Sequence, residues 1–205
     1  MRNLRLFFLL ALLIAMPRAW GETSDDEARR TFEEVYDKVF GPQGSTLRYN
    51  VNIVGLYKTK GTIWMKGKKS KFSDSKVDSW SDGKMSYTVY RRKKLIVVNT
   101  NAAEKGDKYA SKFKFTLDDF DYSMERTQEG IWFTLKQRHE AKGTVKHVKA
   151  LVDANTLAPM QVKIKVAFFW TNITISNFKS GDINDNIFVF PRSDYGSDYR
   201  FEFDH

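Results

Sequence analysis

Apolar residues near the start of the chain recur with a helical period. Their intervals of four, three and four residues place them on one face of a helix. Ser24 and Glu27 are typical of a helix start, and the pair Gly41-Pro42 ends the segment. We therefore expect one amphipathic helix over residues 25–40. Its apolar face consists of Ala28, Phe32, Val35 and Val39.

From Thr46 onward the period changes to two. Apolar positions alternate with polar ones, which is typical of a strand with one buried face and one wet face. Turn residues such as Asp82-Gly83, Gly130 and Gly143 separate further segments of this kind. The predicted strands are residues 46–53, 61–66, about 70–80, 85–90, 94–99, 111–116, 121–126, 130–137, 144–152, 158–168 and 170–178.

This order of elements predicts a mostly β domain of the α+β class. About ten to eleven strands without helices between them favour one antiparallel sheet that curls into a partial or complete barrel. Residues 101–110 lose the alternation and read as a loop or a short helix. The tail, residues 191–205, alternates weakly and is either a last edge strand or a mobile end.

The first 21 residues have the organisation of a secretory signal peptide. Arg2 and Arg5 precede an apolar run over residues 6–16, and Ala19 and Gly21 supply the small side chains of a cleavage site. The apolar run is too short for a transmembrane helix, which needs about 20 residues. The sequence therefore predicts a signal peptide at residues 1–21 and one domain at residues 22–205. We expect this domain to be soluble in the periplasm.

The chain contains no cysteine. This excludes a disulfide framework, a thiolate metal site and a cysteine nucleophile. It also excludes the cysteine on which a bacterial lipoprotein is acylated, so we expect the mature protein to be unanchored.

The chain is basic, with a formal net charge of +9. Three arginines belong to the predicted signal segment, so the mature chain keeps a charge of +6. This balance favours anionic surfaces such as lipid headgroups or acidic patches on partner proteins. The alternative is that the lysines only keep a β-rich surface soluble and protect its edges. Because an exported protein rarely meets nucleic acid, we expect no nucleic-acid partner.

Motifs for catalysis or cofactor binding do not stand out. The chain has neither a phosphate-binding glycine loop nor a G-x-S-x-G nucleophile turn. His139, Glu140 and His147 are a weak metal signal, and we interpret them as surface strand positions. We therefore expect a protein without enzymatic activity, metal or cofactor.

Aromatic and flexible apolar side chains are abundant: five Trp, nine Tyr, sixteen Phe and six Met. In a small barrel such side chains fill the interior, whereas in a wider or half-open barrel they line a cavity for an apolar ligand. Methionine suits a cavity that repacks around different ligands. Composition leaves both alternatives open.

Two groups of motifs resemble the LolA family of periplasmic carriers of outer-membrane lipoproteins. The first group is Gly61-Thr-Ile-Trp-Met-Lys-Gly67, Lys71-Phe72 and Trp80-Ser-Asp-Gly-Lys84 followed by Tyr87. It is similar to the early strands of the family, in which a D-G-K turn leads into an aromatic strand.

The second group is Leu157-Ala-Pro-Met160, Ile173-Thr-Ile-Ser-Asn-Phe-Lys-Ser-Gly181 and Ile187-Phe-Val-Phe190. It resembles the family's proline turn, its next strand and its closing F-x-F motif, in the style of Bacteroidetes members. The resemblance extends over residues 25–195.

The resemblance implies a half-open antiparallel β-barrel with the N-terminal helix as a plug or lid. It implies that acyl chains of lipoproteins, or a related lipid, bind in an apolar cavity. An inner-membrane transporter and an outer-membrane acceptor would be the partners, and the carrier would act as a monomer. By strand alternation, the cavity would be lined by Tyr49, Val51, Ile53, Ile63, Met65, Tyr87 and Val89. The lid would contribute Phe32, Val35 and Val39.

Two departures from the family concern the lid. Many carriers have an arginine that ties the lid to the barrel where this chain has Gly67. We therefore expect the helix to be held by packing alone. The segment where the family has a second lid helix is here short and polar, at residues 101–110.

Two other functions stay open beside the carrier. One is a cell-envelope interaction protein that uses the same fold with a filled core. The other is an enzyme acting on lipid or glycan, for which the sequence offers no catalytic group.

Overall fold

The computed structural model describes residues 24–53, 57–100, 116–141, 145–166 and 169–204. The predicted signal peptide, the polar segment 101–110 and all but the last residue of the predicted strand 111–116 lie outside these residues. Five strand residues are described by their backbone only: Asn52, Ile53, Tyr57, Val166 and Phe169.

Helix α1 covers Ser24–Phe40, so the predicted helix is confirmed to within one residue. Its first turn carries three acidic residues and its last turn carries Lys38, which suits the helix dipole at both ends. Ala28, Phe32, Val35 and Val39 are buried, as the spacing predicts. No helix among the described residues is long and apolar enough to cross a membrane.

Twelve strands form one sheet in the described part of the chain. Their order across the sheet is β12, β6, β5, β4, β3, β2, β1, β11, β10, β9, β8 and β7. The strands are β1 Ser45–Ile53, β2 Tyr57–Lys66, β3 Lys69–Asp74, β4 Val77–Ser81, β5 Ser86–Tyr90, β6 Leu95–Asn99, β7 Phe120–Thr127, β8 Gly130–Gln137, β9 Val145–Val152, β10 Pro159–Val166, β11 Phe169–Ser180 and β12 Arg200–Asp204. Short 3-10 helices cover Arg91–Lys93, Leu117–Asp119, Asp185–Phe188 and Arg192–Asp194.

The mostly β class is confirmed, and the sheet of the described residues is not closed into a barrel. The sheet is open, with β12 and β7 as its edges. It has twelve strands where ten to eleven are predicted. The tail is an edge strand, and β12 runs parallel to β6, whereas the other pairs are antiparallel. A parallel pair cannot be joined by a hairpin, and here β6 and β12 are connected by all of the chain between Asn99 and Arg200, which includes β7 to β11.

The predicted strand 70–80 is in fact a hairpin. The carboxylate of Asp74 accepts hydrogen bonds from the backbone amides of Lys76 and Val77 at 2.6 and 2.7 Å. An aspartate that bonds the backbone two residues on forms a local turn. This turn divides the segment into β3 and β4.

The main core lies between α1 and the inner face of the sheet, which we define as the face that α1 covers. The ring of Phe32 lies 5.3 Å from the ring of Phe133 and 5.7 Å from that of Tyr122. Further along, Val39 packs in a second cluster with Ile63 and Met65. The helix therefore spans both clusters and joins β7–β10 to β1–β3.

A third cluster lies on the outer face of β4, β5 and β6. Residues 185–201 of the C-terminal segment pass over this face and cover it. Phe190 stacks on Tyr87 with ring centroids 4.4 Å apart and packs edge-on against Trp80 at 5.5 Å. Tyr195 stacks on Phe190 at 5.3 Å. The C-terminal segment therefore covers the outer face of β4–β6, whereas α1 covers the inner face of β7–β10 and β1–β3.

Candidate functional site

An apolar cavity of about 90 Å³ lies between α1 and the inner face of the sheet. All of its lining side chains are aliphatic or aromatic. Six of the predicted site residues line it: Phe32, Val35, Val39, Tyr49, Ile63 and Met65. Their role in binding a ligand stays a prediction.

Val51 is buried in the same apolar cluster but does not line the cavity. The side chain of Ile53 lies outside what the structure describes. Both belong to β1, whose inward positions alternate as expected.

The placement of Tyr87 and Val89 in this cavity is wrong. Residues directly opposite each other in neighbouring strands project from the same face of a sheet. Along the inner face, Ile63 is opposite Phe72 in β3, and Phe72 is opposite Ser79 in β4. Ser79 is in turn opposite Thr88 in β5. Tyr87 and Val89 therefore project from the outer face, where they pack in the third cluster.

The sequence prediction misses several cavity residues because it uses only the early strands. The same alternation in β9, β10 and β11 places apolar side chains on the inner face, so the signal is present in the sequence. The missed lining residues on these strands are Val148, Ala150, Val152, Pro159, Val162, Ile164, Ile173 and Ile175.

The structure explains why residue 61, beside this cavity, is a glycine. It is directly opposite Tyr49, and a Cβ at Gly61 would lie 2.6 Å from the Tyr49 hydroxyl and 2.3 Å from the carbonyl oxygen of Ser73. Only glycine leaves room for the tyrosine ring, which stacks on Phe72 at 5.6 Å. The glycine that begins the first family-like motif therefore shapes the cavity wall.

The expectation that packing alone holds the helix is wrong. At its C-terminal end, the hydroxyl of Ser45 donates to the carbonyl of Val39 at 2.7 Å, and this bond is buried. The hydroxyl of Ser180 donates to the carbonyl of Lys38 at 3.1 Å. These hydroxyls satisfy helix-terminal carbonyls that have no partner within the helix.

Gly67 also takes part in this attachment. Its amide donates to the carbonyl of Gly41, directly after the helix, at 3.1 Å. Gly67 has a φ of 55°, in the left-handed region that favours glycine. Gly67 therefore ties the helix end to the sheet through its backbone.

The N-terminal half of the helix is attached by exposed ion pairs. Arg29 pairs with Asp118 at 2.5 Å, and Arg126 on β7 lies 3.8 Å from Glu27. The pair of Arg29 with Glu33 at 2.8 Å lies within the helix and does not attach it. Exposed ion pairs contribute little, about 0–1 kcal/mol each. The polar attachment of the helix is therefore stronger at its C-terminal end than at its N-terminal end.

Tyrosines near the helix stay un-ionised at neutral pH. Burial raises the pKa of Tyr36, which lines the cavity. Burial also raises the pKa of Tyr122, whose hydroxyl donates to the carbonyl of Leu117 at 2.7 Å. The cavity and the core beside it are therefore uncharged.

A second cavity, of about 540 Å³, lies on the outer face beneath the C-terminal segment. Half of its lining residues are aromatic, and Arg192 and Asp82 are among the others. Arg192 lies over the ring of Phe201 at 3.7 Å. This cavity is separate from the one under α1, because the sheet lies between them.

Among the described residues, no group of three or more His, Asp or Glu side chains could hold a metal ion. His139 is exposed in the turn after β8. His147 lies in β9, with its ring 6.2 Å from that of Trp170.

No family model matches the chain, and no curated protein matches it. An uncharacterised conserved protein from Thermus thermophilus has a similar structure, with a TM-score of 0.59 at 9% identity. The match covers 87% of this chain and 99% of that one. At this identity the likeness shows a shared fold.

Weaker similarities include a lipoprotein-sorting protein domain and a LolA superfamily protein. One is a putative outer-membrane lipoprotein-sorting protein domain from Vibrio parahaemolyticus, with a TM-score of 0.45 at 10% identity over 80% of this chain and 97% of that one. The other is a LolA superfamily protein from Nitrosomonas europaea, with a TM-score of 0.39 at 11% identity over 80% and 98%.

Proposed function

We propose that this protein is a periplasmic carrier that binds acyl chains of lipoproteins, or a related lipid, between α1 and the inner face of the sheet. The observation that carries the proposal is the wholly apolar cavity beneath a single helix. The motifs over residues 61–84 and 157–190 support the same function by their resemblance to lipoprotein carriers.

The cavity is closed in the present structure. Its volume of about 90 Å³ is below that of an engineered cavity of about 150 Å³ that holds one benzene molecule. An acyl chain of about 16 carbons does not fit without movement. Cargo binding therefore requires α1 to move away from the sheet.

The uneven attachment of the helix favours one direction of opening. The hydrogen bonds from Ser45, Ser180 and Gly67 hold the C-terminal end, whereas the polar contacts of the N-terminal end are exposed ion pairs. We therefore expect α1 to swing outward from its N-terminal end, with Gly41 as the hinge. Phe32 would separate from Phe133 first.

The cost of opening keeps binding reversible. Full burial of one large apolar side chain contributes about 1.5–3 kcal/mol, so exposing Phe32, Val35 and Val39 costs on the order of 5–9 kcal/mol. Complete enclosure of two or three acyl chains would contribute about 25–40 kcal/mol, which exceeds the range of reversible affinities. In the closed apo form the helix occupies the place of the cargo. Opening it therefore lowers the net affinity for acyl chains to a value that permits transfer.

The remaining parts of the proposal concern place and partners. The signal segment at residues 1–21 supports export to the periplasm. A carrier of this kind would take cargo from an inner-membrane transporter and pass it to an outer-membrane acceptor. We propose no enzymatic step and no cofactor, and we propose that the carrier works as a monomer.

The experiment is transfer of a fluorescent acylated peptide from micelles to the purified mature protein. Met65→Glu places a charge in the cavity wall, and burial of an unpaired carboxylate beside acyl chains should reduce uptake at least tenfold. Ala150→Leu fills the cavity, stabilises the closed form and should also reduce uptake.

Thr62→Glu is the matched control. It lies on the same strand as Met65 but projects from the outer face, directly opposite Arg48. Its uptake should equal that of the wild type. Circular dichroism and urea unfolding show whether each variant is folded. Absence of uptake by the wild type, or equal uptake by all four proteins, would remove the case for an acyl-chain carrier.

A second candidate is an envelope interaction protein with a filled core. The small volume of the cavity favours it, because a carrier captured with cargo would contain a larger space. Native mass spectrometry of protein released gently from the periplasm distinguishes the two candidates. Bound lipid supports the carrier, and a lipid-free mass in every preparation supports the interaction protein.

A further inference from the structure

The outer face of six neighbouring strands carries charge of one sign. Strands β2, β1, β11, β10, β9 and β8 stand side by side, and none contains an aspartate or glutamate. Together they contain nine lysines and one arginine. The acidic residues of the described chain lie in α1, in β7, in β3 and β4, in turns and in the C-terminal segment.

The strand register arranges these basic residues in rows. In one row, Lys136, His147, Lys165 and Trp170 are directly opposite one another on β8, β9, β10 and β11. In the next row, Lys149 is opposite Lys163. That row continues through Asn172 and Asn52 to Lys58 on β2. We call this surface the basic face and define it by Lys58, Lys136, Lys149, Lys163, Lys165 and Trp170.

The basic face has an acidic neighbour, Asp121 on β7, which is directly opposite Lys136 and pairs with Arg138 at 2.9 Å. Within the described residues, none of its lysines forms an ion pair. His147, at the centre of the face, reports the resulting field. Its pKa is lowered, first by burial and then by the neighbouring positive charges of Lys165, Lys136 and Lys149. An anion on this face would relieve the mutual repulsion.

The dimensions of the face and its aromatic residue indicate what binds there. Five gaps between strands span about 24 Å, which is more than a single small anion needs. Trp170 is 43% exposed at the end of the first row. Tryptophan prefers the interface between lipid headgroups and acyl chains, where its ring is partly apolar and partly hydrated. A row of lysines that ends at an exposed tryptophan suits a bilayer with anionic headgroups.

We propose that the basic face binds the surface of an anionic phospholipid bilayer. Lysines on β2, β8, β9 and β10 contact the headgroups, and Trp170 inserts at the interface. The inner face of the sheet and α1 point away from the bilayer in this arrangement, so the helix is free to open. The proposal does not depend on what the cavity under α1 binds.

The experiment is sedimentation of the mature protein with vesicles of phosphatidylcholine alone or mixed with phosphatidylglycerol. We expect binding that rises with the phosphatidylglycerol fraction and falls steeply with added salt. A triple variant, Lys136→Glu with Lys149→Glu and Lys165→Glu, should lose at least tenfold in binding. Trp170→Ala should weaken the binding that remains at high salt.

The matched control is a triple variant with the same change in net charge. It combines Lys84→Glu, Arg92→Glu and Lys93→Glu. These three residues are exposed, lie just before and just after β5, and are away from the basic face. This control should keep at least half of the wild-type binding. Equal loss in both triple variants, or no binding of the wild type to phosphatidylglycerol vesicles, would overturn the proposal. Binding to an acidic polypeptide but not to vesicles would overturn it in favour of an acidic protein partner.

Discussion

The two halves of the sheet bury most of their large side chains on opposite faces, although Val77 in β4 and Leu95 in β6 still project from the inner face. In β8 to β11 the inward residues are apolar and pack against α1 or line the cavity, whereas the outward residues include the lysines of the basic face. In β4 and β5 the large residues Trp80, Tyr87 and Val89 project outward, and the inward positions carry buried Ser79 and Thr88. The covering element therefore decides which strand face is apolar.

The face that carries the large buried side chains changes between β3 and β4. In β3, Phe72 points inward and Lys71 outward, and Lys71 lies 5.4 Å from the ring of Trp80 on the next strand. Beyond this point α1 no longer covers the inner face, and the C-terminal segment covers the outer face instead. Removal of one cover should therefore affect one half of the sheet more than the other.

The largest effect is expected under the helix. Phe133 is completely buried and contacts Phe32, so Phe133→Ala should lower the free energy of unfolding by about 3–5 kcal/mol. Urea unfolding measures the change. In hydrogen exchange, α1 should lose protection before β5 and β6. Equal loss in both halves would show that the halves do not act separately.

A smaller effect is expected beneath the C-terminal segment. Phe190 is partly buried and stacks between Tyr87 and Tyr195, so Phe190→Ala should cost about 2 kcal/mol. Hydrogen exchange should show faster exchange in Arg192–Asp194 and β12 with unchanged protection in α1. Loss of protection in α1 would contradict the separation of the two covers.

Gly67→Arg tests how the helix end is attached. Its φ of 55° disfavours any residue with a Cβ, so the substitution should cost about 1 kcal/mol although no atom lies within 4 Å of the added Cβ. Urea unfolding compares it with Lys68→Arg at the neighbouring exposed position, which should be neutral. If Gly67→Arg is stabilising, the family's arginine contact can form here.

The smallest effect concerns the anchor of the C-terminal segment. Hydrogen bonds from Lys66 and Lys69 hold the pKa of Asp185 at about 2. The pKa of an unfolded aspartate is higher, at about 3.9, so this pair stabilises the fold above about pH 4. The contribution is lost as the pH falls toward 2. Asp185→Asn should therefore reduce the loss of stability between pH 4 and pH 2, as measured by urea unfolding. Parallel pH profiles would show that the pair is not formed.

Local periodicity determined much of the fold. The bounds of β8 are as predicted, and those of the helix differ by one residue. Side chains share a face every 3.6 residues in a helix and every second residue in a strand, so a short stretch of sequence shows which residues lie together. The lid residues and the inward positions Ile63 and Met65 follow from the same signal. The apolar positions of β9 to β11 are equally visible in it.

The tertiary structure decided how these faces relate to one another. The turn at Asp74 lies in a mostly polar segment, in which Phe72, Val77 and Trp80 do not keep a period of two. A missed turn loses the correspondence between the faces on its two sides. This is why the sequence prediction assigns Tyr87 and Val89 to the wrong face. Alternation shows only that the two faces of a strand differ. It does not predict that the C-terminal segment packs over the outer face of β4–β6. The sequence by itself determined the helix, the strands and the apolar face of each. Only the pairing of distant segments decided which face of each half of the sheet is covered, because that choice depends on contacts between residues far apart in the chain.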